Sequence, residues 1–355
     1  VSLAVEEARD LAAWLRVPAS LGGHRAGWAV RPDGQTRTML DPARNPSLAA
    51  WRLAPLLARR DGRPVGRLLA ARPVAGGVTH FGYLALAQGE AEALAALLDA
   101  AAGWGGGGLV GPLDFSLNHT AGALVAGFAP PFAIETPQNP AWLAPLLERA
   151  GCAKLRDLLG YRLDAAALPA APPPPGVAIE RIGFGGLPRG FEAIRRFYNA
   201  AWAENWGFMA VSEAEGAVMA RLLRPLFWAG RGLLAREAGE VVGLVVILPD
   251  VNAVTDPLDG TLPPRAWPAL LRALAGRVGS ARIPLLGLAP ALRGTPRGQL
   301  VMAALLGAAG ATARARGWRS VEVSWVLEEN APMRGLMRRI GAREHRRWRL
   351  FSRAA

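Results

Sequence analysis

LLGLAPALRGTPRGQLVMAALL (residues 285–306), followed by SVEVSWVLEENAPMRGLMRRIGA (320–342), decides how this chain of 355 residues is read. IPLLGLA (283–289) is a short apolar run, the mark of a buried strand. An Arg/Gly turn then leads into an Ala/Leu-rich helix over 298–316. SVEVSWVL (320–327) alternates as a strand does, a short helix covers 331–340 behind Asn330, and Gly341 stops it. A last strand covers about 346–351. Upstream, 233–248 reads as a hairpin turning at Gly239, and 191–203 and 212–224 as helices, the second with Ser212 at its N-cap. A hairpin, then strand–helix–strand–helix–strand, predicts a mixed sheet with helices on its faces.

The first half repeats this plan. LLARRDGRPVG (56–66) and LLAREAGEVVG (233–243) align without a gap and agree at seven of eleven positions. NPAWLAPLLERAG (139–151) and NAPMRGLMRRIG (330–341) both begin with Asn, keep helical apolar spacing and stop at Gly. Each runs into an aromatic segment, at 160–164 and 347–351. Gly66 to Asn139 is 73 residues and Gly243 to Asn330 is 87, so the second half carries 14 more, which fall after Pro249. Two matches in the same order imply duplication of one αβ unit. Between the halves, AAALPAAPPPPG (165–176) builds neither helix nor ladder and suits a stiff spacer, giving expected domains of 1–164 and 177–355.

Composition narrows the function classes. No apolar run approaches the roughly 20 residues of a membrane-spanning helix. The opening VSLAVEEARDLAAW carries acids where a secretory leader has a basic end and an apolar block. Cys152 is the sole cysteine, which excludes intramolecular disulfides and cysteine-based zinc clusters and suits a reducing cytoplasm. Four scattered histidines make no metal site. The net charge of +13 favours anionic partners, yet Lys154 is the sole lysine, so part of the arginine content reflects a coding bias. No zinc-finger or RNA-recognition motif accompanies the charge, and nucleic acid is not an expected partner.

The quoted segments resemble the GNAT superfamily of acyl-CoA N-acyltransferases in tandem. The resemblance implies an α/β fold of two GNAT-like domains, each a mixed, mostly antiparallel sheet flanked by helices. NPSLAAWRLAPLLARRDGRPVGRLLA (45–70), YNAAWAENWGF (198–208), LPDVN (248–252) and VSWVLEEN (323–330) resemble bacterial tandem members of N-acyltransferase type, some of which acylate sphingoid bases. The glycines at 105–108 and 111 do not make the family's phosphate loop, so the first domain is expected to be degenerate and to brace its partner.

The resemblance implies acyl-CoA or acetyl-CoA as co-substrate, with its diphosphate at the loop of Arg293, Gly294, Thr295, Arg297, Gly298 and Gln299. A helix N-terminus offers unpaired N–H groups and a positive dipole end there. Pro296 replaces the family's central Gly and removes one donor. The strand through Leu288 and Ala289 would splay from the strand at 320–327 and admit the pantetheine arm. The family's frequent tyrosine acid, seven residues after Asn330, is Met337 here. Glu328 and Glu329 beside Asn330 are the first candidates for removing the ammonium proton, with Asp250 next. Trp202, Glu204, Asn205 and Trp206 suit a cleft wall; Asn205, Trp206, Asn252 and Trp325 are expected to meet the acceptor.

LPPRAWPALLRALAGR (262–277) is a basic amphipathic helix: Trp267, Leu270, Leu271 and Leu274 share a face flanked by Arg265, Arg272 and Arg277. Such a helix lies on an anionic membrane, roofs an acyl tunnel or packs on its own domain. The reading is an N-acyltransferase acting on a primary amine, with a long-chain, sphingoid-type acceptor and peripheral membrane contact as the finer version. The expected location is the cytoplasm or the inner membrane face. Two alternatives stay open: a non-catalytic CoA- or lipid-binding protein on a decayed GNAT scaffold, and a Fem-type aminoacyl transferase, whose coiled-coil arm is missing.

Overall fold

The computed structural model describes residues 2–354. The first half runs β1 (Leu3–Glu7), α1 (Leu11–Ser20), α2 (Asp33–Leu40), β2 (Trp51–Arg60), β3 (Arg63–Pro73), β4 (Thr79–Leu86), α3 (Ala91–Gly105), β5 (Leu109–Gly111), β6 (Ala123–Ala126), α4 (Leu143–Arg149) and β7 (Ala153–Asp164). The second runs β8 (Val177–Ile182), α5 (Leu187–Ala201), α6 (Glu213–Leu223), β9 (Arg231–Glu237), β10 (Glu240–Pro249), α7 (Asn252–Thr255) and α8 (Trp267–Leu274). It continues with β11 (Ser280–Leu288), α9 (Pro296–Arg316), β12 (Ser320–Leu327), α10 (Ala331–Arg339) and β13 (Arg343–Arg353). Among the described residues no helix is long and apolar enough to cross a membrane.

Two compact units result. Unit 1 takes the chain up to Leu158, Thr255–Leu262 and the chain from Arg346; unit 2 takes Leu159–Val254 and Pro263–His345. The division therefore falls inside β7 and inside β13, each of which gives residues to both units, and not at the 165–176 tract. That tract is no free spacer. The Ala165 amide bonds to the Arg319 carbonyl at 2.8 Å, and Leu168 is 2 % exposed in the core of unit 2. Along α9, a Cβ on Gly307 would lie 2.8 Å from the Ala171 carbonyl, so only glycine lets the tract lie so close.

Unit 1 has the strand order β1-β2-β3-β4-β5-β13, and unit 2 has β7-β12-β11-β10-β9-β8. In each, a hairpin and its neighbours pair antiparallel, and one parallel pair follows, β4 with β5 and β11 with β12. This is the mixed, mostly antiparallel sheet expected of the tandem GNAT fold.

The hairpin repeat carries over to the backbone. Asp61–Gly62 and Ala238–Gly239 both have positive φ at the two turn positions, the geometry that matches the twist of a tight hairpin. Both hairpins shift register beside the aligned pairs Ala58↔Gly66 and Ala235↔Gly243. A Cβ on Gly66 would lie 3.2 Å from Leu97 of α3 and 2.7 Å from Leu86, and one on Gly243 would lie 2.8 Å from Leu305 of α9, so each sheet meets its long helix over a bare glycine.

The second repeat holds only in part. Asn330 caps α10, its Oδ1 accepting the Met333 amide at 3.1 Å. Asn139 caps nothing. It is buried and pairs with Leu124, accepting its amide at 2.6 Å and donating to its carbonyl at 3.2 Å, while α4 begins four residues later behind Trp142. A buried Asn beside an edge strand satisfies more donors and acceptors there than at a solvated helix end.

Candidate active site

The parallel ladder of β11 and β12 runs from Ser280↔Ser320 to Ile283↔Val323 and ends there, although the strands continue to Leu288 and Leu327. Pro284 has no amide to donate at the point where they part. From there β11 keeps its antiparallel partner β10 as far as Gly243↔Leu288 and turns its other edge to the opening. The Trp202 ring lies against β11 so closely that a Cβ on Gly287 would come within 2.5 Å of it. Tyr198 stacks on that ring, centroids 5.1 Å apart, and Phe197 meets it edge-on. The end of α5 is thereby an aromatic wall beside the parted strand.

Beyond β11, the Ala289 amide bonds to Val242, Pro290–Leu292 make one 3-10 turn, and Gly294 takes a positive φ of 75° with open space around it. Thr295 is the N-cap of α9: its Oγ1 accepts the Gly298 amide at 2.9 Å and donates to Leu292. Pro296 occupies the first helical position, where a missing N–H costs nothing. Gly298 is buried because the Leu292 carbonyl would stand 1.9 Å from its Cβ. The amides of Arg293, Thr295, Gly298 and Gln299 bond within this turn, leaving those of Gly294 and Arg297 as its remaining donors. An oxyanion fits this end of a 21-residue helix through those two amides and the dipole.

The arginines are already engaged. Arg293 donates to the Ala201 carbonyl, tying the loop to α5. Arg297 pairs with Glu237 and donates to Pro175 at 2.6 Å.

At the parting point stands a buried polar cluster that sequence reasoning missed. Glu322 is 3 % exposed, with one carboxylate oxygen 2.8 Å from His345 Nε2 and the other accepting the Ser324 hydroxyl at 2.8 Å. Arg282, equally buried, donates to Ser324 Oγ and to its carbonyl, both at 3.0 Å, and lies 4.8 Å over the Trp325 ring. This joins an acid and an imidazole at the point where the parallel β11–β12 ladder ends. The alternation of SVEVSWVL was the available signal, because Glu322 and Ser324 share one face; it reads as a solvated face unless the strand is known to be central.

The remaining candidates divide by strand end. Leu288 through Gln299 form one continuous loop and helix start, and Glu328, Glu329 and Asn330 follow β12 at that same end, since β12 runs parallel to β11. Glu329 is exposed, and the Glu328 carbonyl accepts from Arg334. Asp250 and Asn252 lie at the opposite end of β10. Asp250 is 3 % exposed, accepts the Ser280 hydroxyl at 3.1 Å, and its amide bonds to the Ser280 carbonyl, so it fastens the start of β11. Asn205 and Trp206 sit in the turn after α5, where the Asn205 carbonyl accepts the Phe208 amide. Trp202, not Trp206, is the ring against β11. Met337 is fully buried in the core of unit 2, so the position that could carry the acid packs instead.

No family model matches the chain. It is 30 % identical over 371 residues to the bacterial ceramide synthase of Caulobacter vibrioides, covering 99 % of this chain and 96 % of that protein. It is 29 % identical over 366 residues to the protein YghO of Escherichia coli, covering 96 % and 92 %. Among solved structures, it resembles a tandem GNAT protein from the clavulanic acid biosynthesis pathway (TM-score 0.57, 17 % identity, 99 % and 98 % covered). It also resembles a GCN5-related N-acetyltransferase from Sphaerobacter thermophilus (TM-score 0.52, 15 % identity, 99 % and 95 % covered).

Proposed function

Because the chain belongs to the family of the bacterial ceramide synthase, it is an N-acyltransferase, and we propose that it transfers the acyl group of acyl-CoA to the primary amine of a long-chain, sphingoid-type base. The observation that carries the donor is the parting of β11 from β12 directly ahead of the α9 start: a thioester arm needs strand edge, and its diphosphate needs a helix N-terminus. Gly294 and Arg297 would hold the diphosphate through their amides, and the free edge of β11 would take the pantetheine amides.

Glu322, with His345 Nε2 at 2.8 Å, is the group we assign to the acceptor's proton. An ammonium that gives it this proton becomes a nucleophile; the C–N bond forms at the thioester carbonyl, the C–S bond breaks, and the thiolate leaves to be protonated from solvent. The aromatic wall of Tyr198 and Trp202 favours an acceptor with an apolar chain.

Membrane contact is the finer part of the proposal. On α8, Ala266 and Ala273 are turned inward, while Trp267 is 50 % and Leu271 45 % exposed, and Trp228 is 50 % exposed on the same unit. With Arg265, Arg272 and Arg277 also exposed, this surface suits an anionic bilayer from which a lipid amine is drawn.

The test is release of free CoA from acetyl-, octanoyl- and palmitoyl-CoA in the presence of sphinganine, with the amide product identified by mass spectrometry. Palmitoyl-CoA with sphinganine is the pair expected to react. Absence of amide product with every donor would leave the scaffold without this function. Sedimentation with phosphatidylglycerol vesicles, and not with phosphatidylcholine, checks the membrane surface.

A further inference from the structure

Unit 1 lacks the basic helix start but encloses a cavity. Trp28, Arg31, Arg67, Tyr83, Asp114 and Thr120 are among its lining residues. It lies beside β4, whose ladder with β3 shifts register between Arg67 and Leu69, and there Tyr83 adopts a φ of 47°. A bulge with a bulky residue in left-handed conformation is costly, and the fold stabilises it with Asp114, which accepts the Tyr83 amide at 2.6 Å. Asp114 also faces Arg31 at 3.2 Å, and Glu135 lies 3.9 Å from the same guanidinium, so the charge of Arg31 is met twice over.

Arg67 is different. It is 7 % exposed, its guanidinium lies 4.3 Å over Trp14, and no carboxylate comes within ion-pair distance of it among the described residues. Its Nε donates to the Tyr83 carbonyl at 3.1 Å, and its Nη1 to the Trp14 and Leu15 carbonyls at 3.0 and 3.1 Å. Among the described residues the two N–H groups of Nη2 meet no acceptor, and Arg67 lines the cavity. Thr120 brings a second unmatched group, a buried hydroxyl with no hydrogen-bond partner.

The duplicated hairpin makes the arginine conspicuous. Aligning Gly66 with Gly243 sets Arg67 against Leu244, which is fully buried in unit 2. The position folds with an apolar side chain there, and an arginine with no carboxylate against it is costly to bury. Burial already pulls the Arg67 guanidinium down to about 10.

We propose that the cavity of unit 1 is a binding site for a small amphiphilic oxyanion, its oxygens held by Arg67 Nη2 and the Thr120 hydroxyl and its apolar part by the Trp28 side. A guanidinium edge recognises carboxylate and phosphate alike, and the aromatic lining favours a carboxylate on a short apolar chain.

Calorimetric titration of the full chain with sodium hexanoate and with inorganic phosphate tests it. Hexanoate is expected to bind, and more tightly than phosphate; the reverse order would assign the site to a phosphate group instead. Arg67→Leu installs the residue that unit 2 carries and is expected to weaken binding by about 30-fold or more. Thr120→Val, nearly isosteric, is expected to weaken it about five-fold and decides the matter should Arg67→Leu lose its native circular dichroism. The proposal is overturned if the wild type binds neither probe at millimolar concentration, or if a folded Arg67→Leu or Thr120→Val chain binds as the wild type does.

Discussion

The two long helices α3 and α9 begin on opposite electrostatic terms. At the start of α3, Glu90 and Glu92 both pair with Arg60, at 2.7 and 3.1 Å. At the start of α9, Arg297 pairs with Glu237. Arg60 and Glu237 are the same position of the duplicated hairpin, so the ion pair has been kept and its sign inverted. A carboxylate at a helix N-terminus already occupies the favourable end of the dipole and repels a second anion. The start of α9 has no acid in its first turn and is the one we propose for the diphosphate; giving it the charges of α3 would close it.

Five variants break or sharpen this contrast. The largest effect is expected from Gly298→Val, whose side chain meets the Leu292 carbonyl and closes the loop; CoA release should fall about 1,000-fold. Glu322→Gln keeps the shape of the buried cluster but removes the proton acceptor, and kcat should fall about 100-fold with the fold intact by circular dichroism. Glu329→Gln in the same assay should change kcat less than about threefold; the opposite ranking would return the role to the exposed acid at the end of β12.

The fourth variant concerns residues 255–262, which arise in the extra length of the second half and join unit 1. Burial raises Asp256 to about 6 although Gln138 donates to it at 2.8 Å. A carboxyl raised on folding stabilises the protein while protonated, and that contribution is lost as pH rises through about 6. Asp256→Asn keeps an acceptor for Gln138 without the charge. It should gain about 2 kcal/mol at pH 7 and nothing below about pH 4, read from chemical denaturation at the two pH values. A smaller effect is expected from the paired exchange Glu237→Arg with Arg297→Glu, which gives α9 the polarity of α3. The pair survives, and KM for acyl-CoA should rise about tenfold with kcat little changed.

The hairpins were legible because their turns demand residues with positive φ, and Gly62 and Gly239 mark them in any context. The ends of α10 at Asn330 and Gly341 were legible for the same local reason. Features that depend on distant partners were not. Asn139 and Asn330 both precede a run of helical apolar spacing that stops at Gly, but only Asn330 caps the helix that follows. Glu322 alternates with valines like a solvent-facing residue, and its burial depends on β12 having a strand on either side. Arg67 and Leu244 occupy one position in two copies, yet nothing within either copy reveals that a cavity adjoins the first.

The division of β7 and β13 has a consequence for how the protein is made. Unit 1 includes residues from Arg346 onward, so β5 and β6 cannot gain their β13 partner until those residues have left the ribosome. The half translated first is thus the last to be finished, and for most of synthesis its sheet waits with an open edge that a holding chaperone would be well placed to shield.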